Sequence, residues 1–92
     1  MNIRSISDFR KAMRHGPYAW QGGYPCYFVT SDGAALSFES VRSNLRSVLW
    51  SIANDVSDGW QVVAMDINWE DTELTCDHSG KPIESAYGSD QE

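Results

Sequence analysis

Basic residues are scarce after position 50: Lys81 alone stands against ten carboxylates in residues 51–92. Residues 1–50 carry six basic and three acidic side chains, so the halves have net charges of +3 and −9 within a total of −6. This balance disfavours direct binding to nucleic acid, because neutralising phosphates needs a cationic face. Cysteine is also scarce. Cys26 and Cys76 lie fifty positions apart, which is neither a disulfide framework nor a complete zinc knuckle. Two buried, reduced thiols are expected, in keeping with a cytoplasmic location. No apolar run approaches the roughly 18–20 residues of a helical membrane span. The opening Met1-Asn2-Ile3-Arg4-Ser5 leads straight into a polar helical pattern rather than a secretory leader.

Catalytic signatures are missing as well. No serine sits in a Gly-x-Ser-x-Gly elbow, and Gly22-Gly23 lacks the Lys-Ser/Thr that completes a phosphate-cradling loop. The sequence therefore predicts no catalytic residues, no cofactor and no enzyme. What it does have is aromatic weight: four Trp, four Tyr and three Phe in 92 residues. With 41% hydrophobic and 22% charged residues, the chain has an ordinary globular composition and is long enough for one core. A single α+β domain is expected over residues 1–88, with a frayed tail at 89–92.

The first element is a helix over residues 5–15. Ser5 or Ser7 can cap it, Asp8 suits its positive end, and Gly16-Pro17 stops it. Ile6, Phe9 and Met13 share one face, while Arg10, Lys11 and Arg14 fall largely on the other. Residues 18–21 and 24–30 favour β-structure, with Gly22-Gly23 supplying a hairpin turn. Pro25, which cannot donate to a ladder, belongs at a strand start or an edge. Ser31-Asp32-Gly33 is a turn, and Ala34-Ala35-Leu36 a brief returning strand.

Residues 38–54 read as one long helix capped by Ser37. Its apolar stripe is Phe38, Val41, Leu45, Val48, Leu49 and Ile52. Residues 60–69 read as the best strand, with Val63, Met65, Ile67 and Trp69 on one face and Ala64, Asp66 and Asn68 on the other. Residues 73–76 could pair back as a short strand, followed by turn chemistry at Asp77-His78-Ser79-Gly80-Lys81-Pro82. A small, mainly antiparallel sheet with the long helix across one face buries both one-sided surfaces. Leu45 and Leu49 then carry weight in the core.

Cys76-Asp77-His78-Ser79-Gly80 has the form of half a zinc ribbon, with Ser79 where the second cysteine of the pair would stand. A structural zinc site needs four ligands at recognised spacing, so a buried thiol beside a turn histidine is the favoured reading and no metal is predicted. Asp66-x-Asn68-x-Glu70 starts like a calcium loop, but Asp71 occupies the place of the required glycine, so a solvated strand face is favoured. Cys26 or Cys76 with a histidine would form a catalytic pair only through tertiary proximity. The richest surface candidate is the aromatic hairpin with Tyr18, Trp20, Tyr24 and Tyr27. Strand alternation sends some of these outward, where Tyr and Trp anchor interfaces.

Several segments resemble a set of small uncharacterised proteins carried on plasmids, prophages and other mobile elements of Gram-negative bacteria. They are Tyr27-Phe28-Val29-Thr30-Ser31-Asp32-Gly33-Ala34-Ala35-Leu36-Ser37, Gly59-Trp60-x-Val62-Val63, Asn68-Trp69-Glu70-Asp71, and Cys76-Asp77-His78-x-Gly80-Lys81-x-Ile83-x-Ser85-Ala86-Tyr87. The likeness spans residues 18–87. It implies an accessory protein and brings no activity; acidic proteins of that origin include blockers of host defence enzymes.

The leading expectation is a non-enzymatic protein-binding module that contacts a protein partner. Tyr18, Trp20, Tyr24, Tyr27, Asp66, Glu70, Asp71 and Glu73 are its contact residues, and its sharpest form is an acidic inhibitor of a nucleic-acid-handling or defence protein. The alternative is a small metal- or thiol-dependent enzyme using Cys26, Cys76 and His78. Pairing of an open sheet edge also makes a homodimer an expectation to test.

Overall fold

The structure is a computed structural model, which describes residues 2–19, 24–71 and 73–85. Helix α1 (Ile6–His15) starts at Ser5, whose hydroxyl accepts the Asp8 N–H at 3.2 Å. It stops at Gly16, whose φ of 86° lies in the region open to glycine. Strand β1 (Tyr18–Ala19) leads to β2 (Tyr24–Thr30), and β3 (Ala35–Leu36) follows a tight turn. Helices α2 (Phe38–Ser43) and α3 (Leu45–Asn54) precede β4 (Val62–Ile67). The expected turn residues Gly22-Gly23, and Trp20 before them, lie outside the described residues.

Strand β2 is the hub, because β1, β3 and β4 all pair with it antiparallel. Its hydrogen bonds show how the partners share its two edges. The Cys26 and Thr30 N–H groups reach the carbonyls of Pro17 and Ala34, so β1 and β3 lie end to end along one edge. The Pro25 carbonyl points to the other edge and accepts from Asn68 N at 3.0 Å. Pro25 sits second in its strand, so its missing N–H interrupts little of the ladder. Asn2 bridges to Ala64, and Ile3 N donates to Val63 O, extending the sheet beyond β4.

One sheet face meets the helices. Phe28 is fully buried there, 5.9 Å from the Phe9 ring of α1 and 5.3 Å from the Phe38 ring of α2. Aromatic pairs of this kind add about 0.5–1.5 kcal/mol beyond the area they bury. Ala12, Leu36, Val41, Val48, Val62 and Met65 complete the core around them.

The architecture is α+β with an antiparallel sheet, as the sequence implies, but the single long helix is corrected to two short ones. In a continuous helix the Asn44 N–H would bond to the Ser40 carbonyl. Here the Asn44 side-chain amide takes that carbonyl at 2.8 Å, and the backbone N–H bonds to Val41 O at 3.1 Å. The residue leaves helical geometry at φ −125°, ψ 36°, and the ladder restarts with Val48 N on Asn44 O. This is side-chain competition with the backbone, a habit of asparagine. The break turns Leu45 outward, to 38% exposure, while Val41 and Val48 stay buried. Leu45 is therefore not a core residue.

The alternation expected in the last strand is also corrected. Val29 faces Ala64 and Thr30 faces Val62, so Val63 is an extra residue in a β-bulge. The bulge puts Val62 into the core and leaves Val63 half-buried. Residues 73–76 make no regular strand. Thr75 bridges to Pro82, and Ile83 N donates to Leu74 O, so this segment pairs with the chain that follows it.

Candidate functional site

Two places gather the chemically interesting residues. The first is the end of the sheet where β2 begins and β4 finishes. Continuing the Cys26↔Ile67 register outward sets Tyr24 opposite Trp69, and their rings meet in a tilted contact, centroids 4.7 Å apart at 54°. Trp69 is 47% exposed. Alternation groups it with Met65 and Ile67 on one face, and the register keeps it on their side of the sheet, where it stays partly in water. It is an exposed aromatic that sequence reasoning did not single out; the signal was the Asn-Trp-Glu-Asp run, with a large aromatic set among carboxylates.

Tyr27 and Asp66 are cross-strand partners on the opposite face at the same end. Tyr27 is half-buried and packs against the core, so it is not the free surface ring expected of an aromatic anchor. Its burial, with Asp66 and Asp71 nearby, pushes its phenol above the usual tyrosine range. Tyr18 is exposed and donates to Glu84 Oε1 at 2.8 Å; that bond and the carboxylate's charge raise its phenol too. Asp66, Glu70, Asp71 and Glu73 are all exposed. Trp20 lies outside the described residues.

Asn68 makes this end rigid. Buried, not solvated as strand alternation suggested, its amide donates to the carbonyls of Asp71, Ile83 and Glu84 at 3.0, 3.3 and 3.1 Å. Its Oδ1 accepts the Asp71 N–H at 3.1 Å. One side chain thus closes the acidic turn and pins the C-terminal segment to the sheet. Asp71 Oδ1 then accepts the Glu73 N–H, fixing the next residue.

The second place is the turn at Cys76. Gly80 N donates to Cys76 O at 2.8 Å, Cys76 N donates to Lys81 O at 2.9 Å, and Gly80 has φ 72°. This is the compact turn that the Cys-x-x-x-Gly spacing suggested. Cys76 Sγ accepts the Ser37 N–H at 3.3 Å and lies 3.3 Å from Ser40 Oγ. Burial pushes the thiol up, but the Ser37 N–H, the Ser40 hydroxyl, and the Ser79 hydroxyl and N–H outweigh it and bring it down to about 6. Ser79, in the place of a second cysteine, thus serves as a donor to the first.

This thiol is poor at outside chemistry, since Cys76 is only 1% exposed. The His78 ring meets the Trp60 ring in a tilted contact at 4.9 Å, and the other thiol, Cys26, lies 3.7 Å from the Tyr24 carbonyl. Among the described residues, no group of three or more His, Cys, Asp or Glu side chains is placed to hold a metal ion, so Cys26, Cys76 and His78 do not converge as one. No described helix is long and apolar enough to cross a membrane.

Comparison with protein-family models, with curated proteins and with solved structures finds no match to this chain.

Proposed function

We propose that this protein is a non-enzymatic binding module whose contact surface is the acidic, aromatic end of the sheet. The observation that carries this reading is Trp69, nearly half exposed, in tilted contact with the Tyr24 ring and next to the acidic run of Glu70, Asp71 and Glu73. A rigid aromatic body anchors an interface at low entropic cost, and surrounding charge steers the encounter and selects the partner. Asn68 supports both by holding the turn in one shape.

The partner class that fits is a protein with a basic groove, such as one that handles nucleic acid, because carboxylates can occupy positions meant for phosphates. An accessory protein of a mobile element that blocks a host enzyme is the sharpest form of the proposal. Affinity capture with the intact chain tests it, comparing wild type with Trp69→Ala and with Asp66→Lys/Glu70→Lys. The expected partner is basic, is displaced by added DNA and by salt, and is lost with both variants. A partner retained equally by both variants overturns the assignment of this surface.

A further inference from the structure

The helical side of the molecule carries a second concavity of opposite character. It lies between α1 and α3, encloses about 420 Å³, and is lined by Phe9, Met13, Leu45 and Leu49 with Arg10 and Arg14. That volume falls within the roughly 300–1,000 Å³ range of ligand pockets. The lining residues repeat at four-residue spacing on both helices. Phe9 and Met13, Leu45 and Leu49, and Arg10 and Arg14 each stand one turn apart, so the groove runs along the helices.

The break at Asn44 makes the groove. It leaves Leu45 38% exposed, and Met13 and Leu49 only half-buried. Charge then says what would fill it. Helix α3 contains no acidic residue, and Asp8 is the one acidic residue of α1, its carboxylate accepting the Arg4 N–H. Arg10 and Arg14 form the rim, and among the described residues neither side chain takes part in an ion pair or hydrogen bond. An apolar floor rejects a phosphate backbone, and a cationic rim rejects a basic peptide.

We propose that this groove is a docking site for an acidic amphipathic helix of a partner protein. Apolar side chains of that helix, three and four residues apart, seat on Met13, Leu45 and Leu49 above the buried Phe9 ring, and its flanking carboxylates pair with Arg10 and Arg14. The surface is distinct from the acidic sheet end, so the molecule would hold two partners, or two parts of one, by opposite charge.

Selection of a displayed random-peptide library on the intact protein tests the inference, followed by amide chemical-shift mapping of a selected peptide. The expected peptides combine Asp or Glu with Leu, Ile, Phe or Met at helical spacing and perturb residues 9–14 and 45–49. Arg10→Glu/Arg14→Glu should weaken them by about tenfold or more. Leu45→Gln, a surface change, should weaken them while leaving the fold intact. Absence of an acidic apolar consensus at the groove overturns the proposal, as does unchanged affinity in the double arginine variant. Self-association at the groove, seen by sedimentation and lost in that variant, would assign it to a second copy, and saturable binding of a DNA duplex there would assign it to nucleic acid; both overturn it. Basic peptides mapping to Trp69 bear only on the sheet end.

Discussion

Around Phe28 the molecule is held by carbon packing, with Phe9 on one side and Phe38 on the other. Around Asn68 it is held by amide hydrogen bonds to three carbonyls and one N–H. The helical region needs regular elements, because burying an apolar stripe requires a periodic backbone. The segment after β4 has almost no regular structure, so its backbone groups must be satisfied one at a time. The difference teaches that the molecule's order has two sources, and that substitutions should separate them.

The largest expected effect is on the packed side. Phe28→Ala removes a fully buried ring shared by two helices and should cost about 3–5 kcal/mol, read as a lower denaturant midpoint. A loss below about 1 kcal/mol would mean that the helices do not pack as described. The polar side should respond next. Asn68→Ala leaves the Asp71, Ile83 and Glu84 carbonyls short of a donor and should cost about 2–3 kcal/mol. It should also raise amide exchange over residues 71–84 more than over α1, an asymmetry absent from the Phe28 variant.

Within the apolar stripe, Leu45→Ala should cost less than about 1 kcal/mol, because its side chain is already partly in water, whereas Val48→Ala should cost more. Equal losses would restore the single straight helix and remove the groove.

The last comparison is chemical. The pKa of the folded Cys76 thiol is about 6, below its ordinary value of 9.0, so the thiolate contributes stability fully present above the unfolded value and lost as pH falls through about 6. Stability should therefore rise with pH between those values, and thiolate absorbance near 240 nm should titrate near pH 6. A Cys76→Ser variant should lose both changes. Alkylation should stay slow despite the ionised sulfur, since the side chain is buried.

The charge polarity is a property of the sequence alone and needs no structure. So are the Ser5 and Ser37 caps, the stop at Gly16 and the turn from Cys76 to Gly80, because each depends on neighbours within a few residues. The strands at 24–30 and 62–67 were legible through β-propensity, though the bulge at Val63 and the irregular 73–76 segment were not, and Phe38, Val41 and Val48 were legible through helical spacing. The break at Asn44 was not, because asparagine inside an apolar stripe breaks or spares a helix according to whether its amide finds the Ser40 carbonyl. Trp69 could be assigned to a side of the sheet but not to water, since only the folded chain decides how far that side is covered. Asn68 shows the limit most plainly. Its partners lie three, fifteen and sixteen residues away, and only the folded chain brings all of them to a single amide.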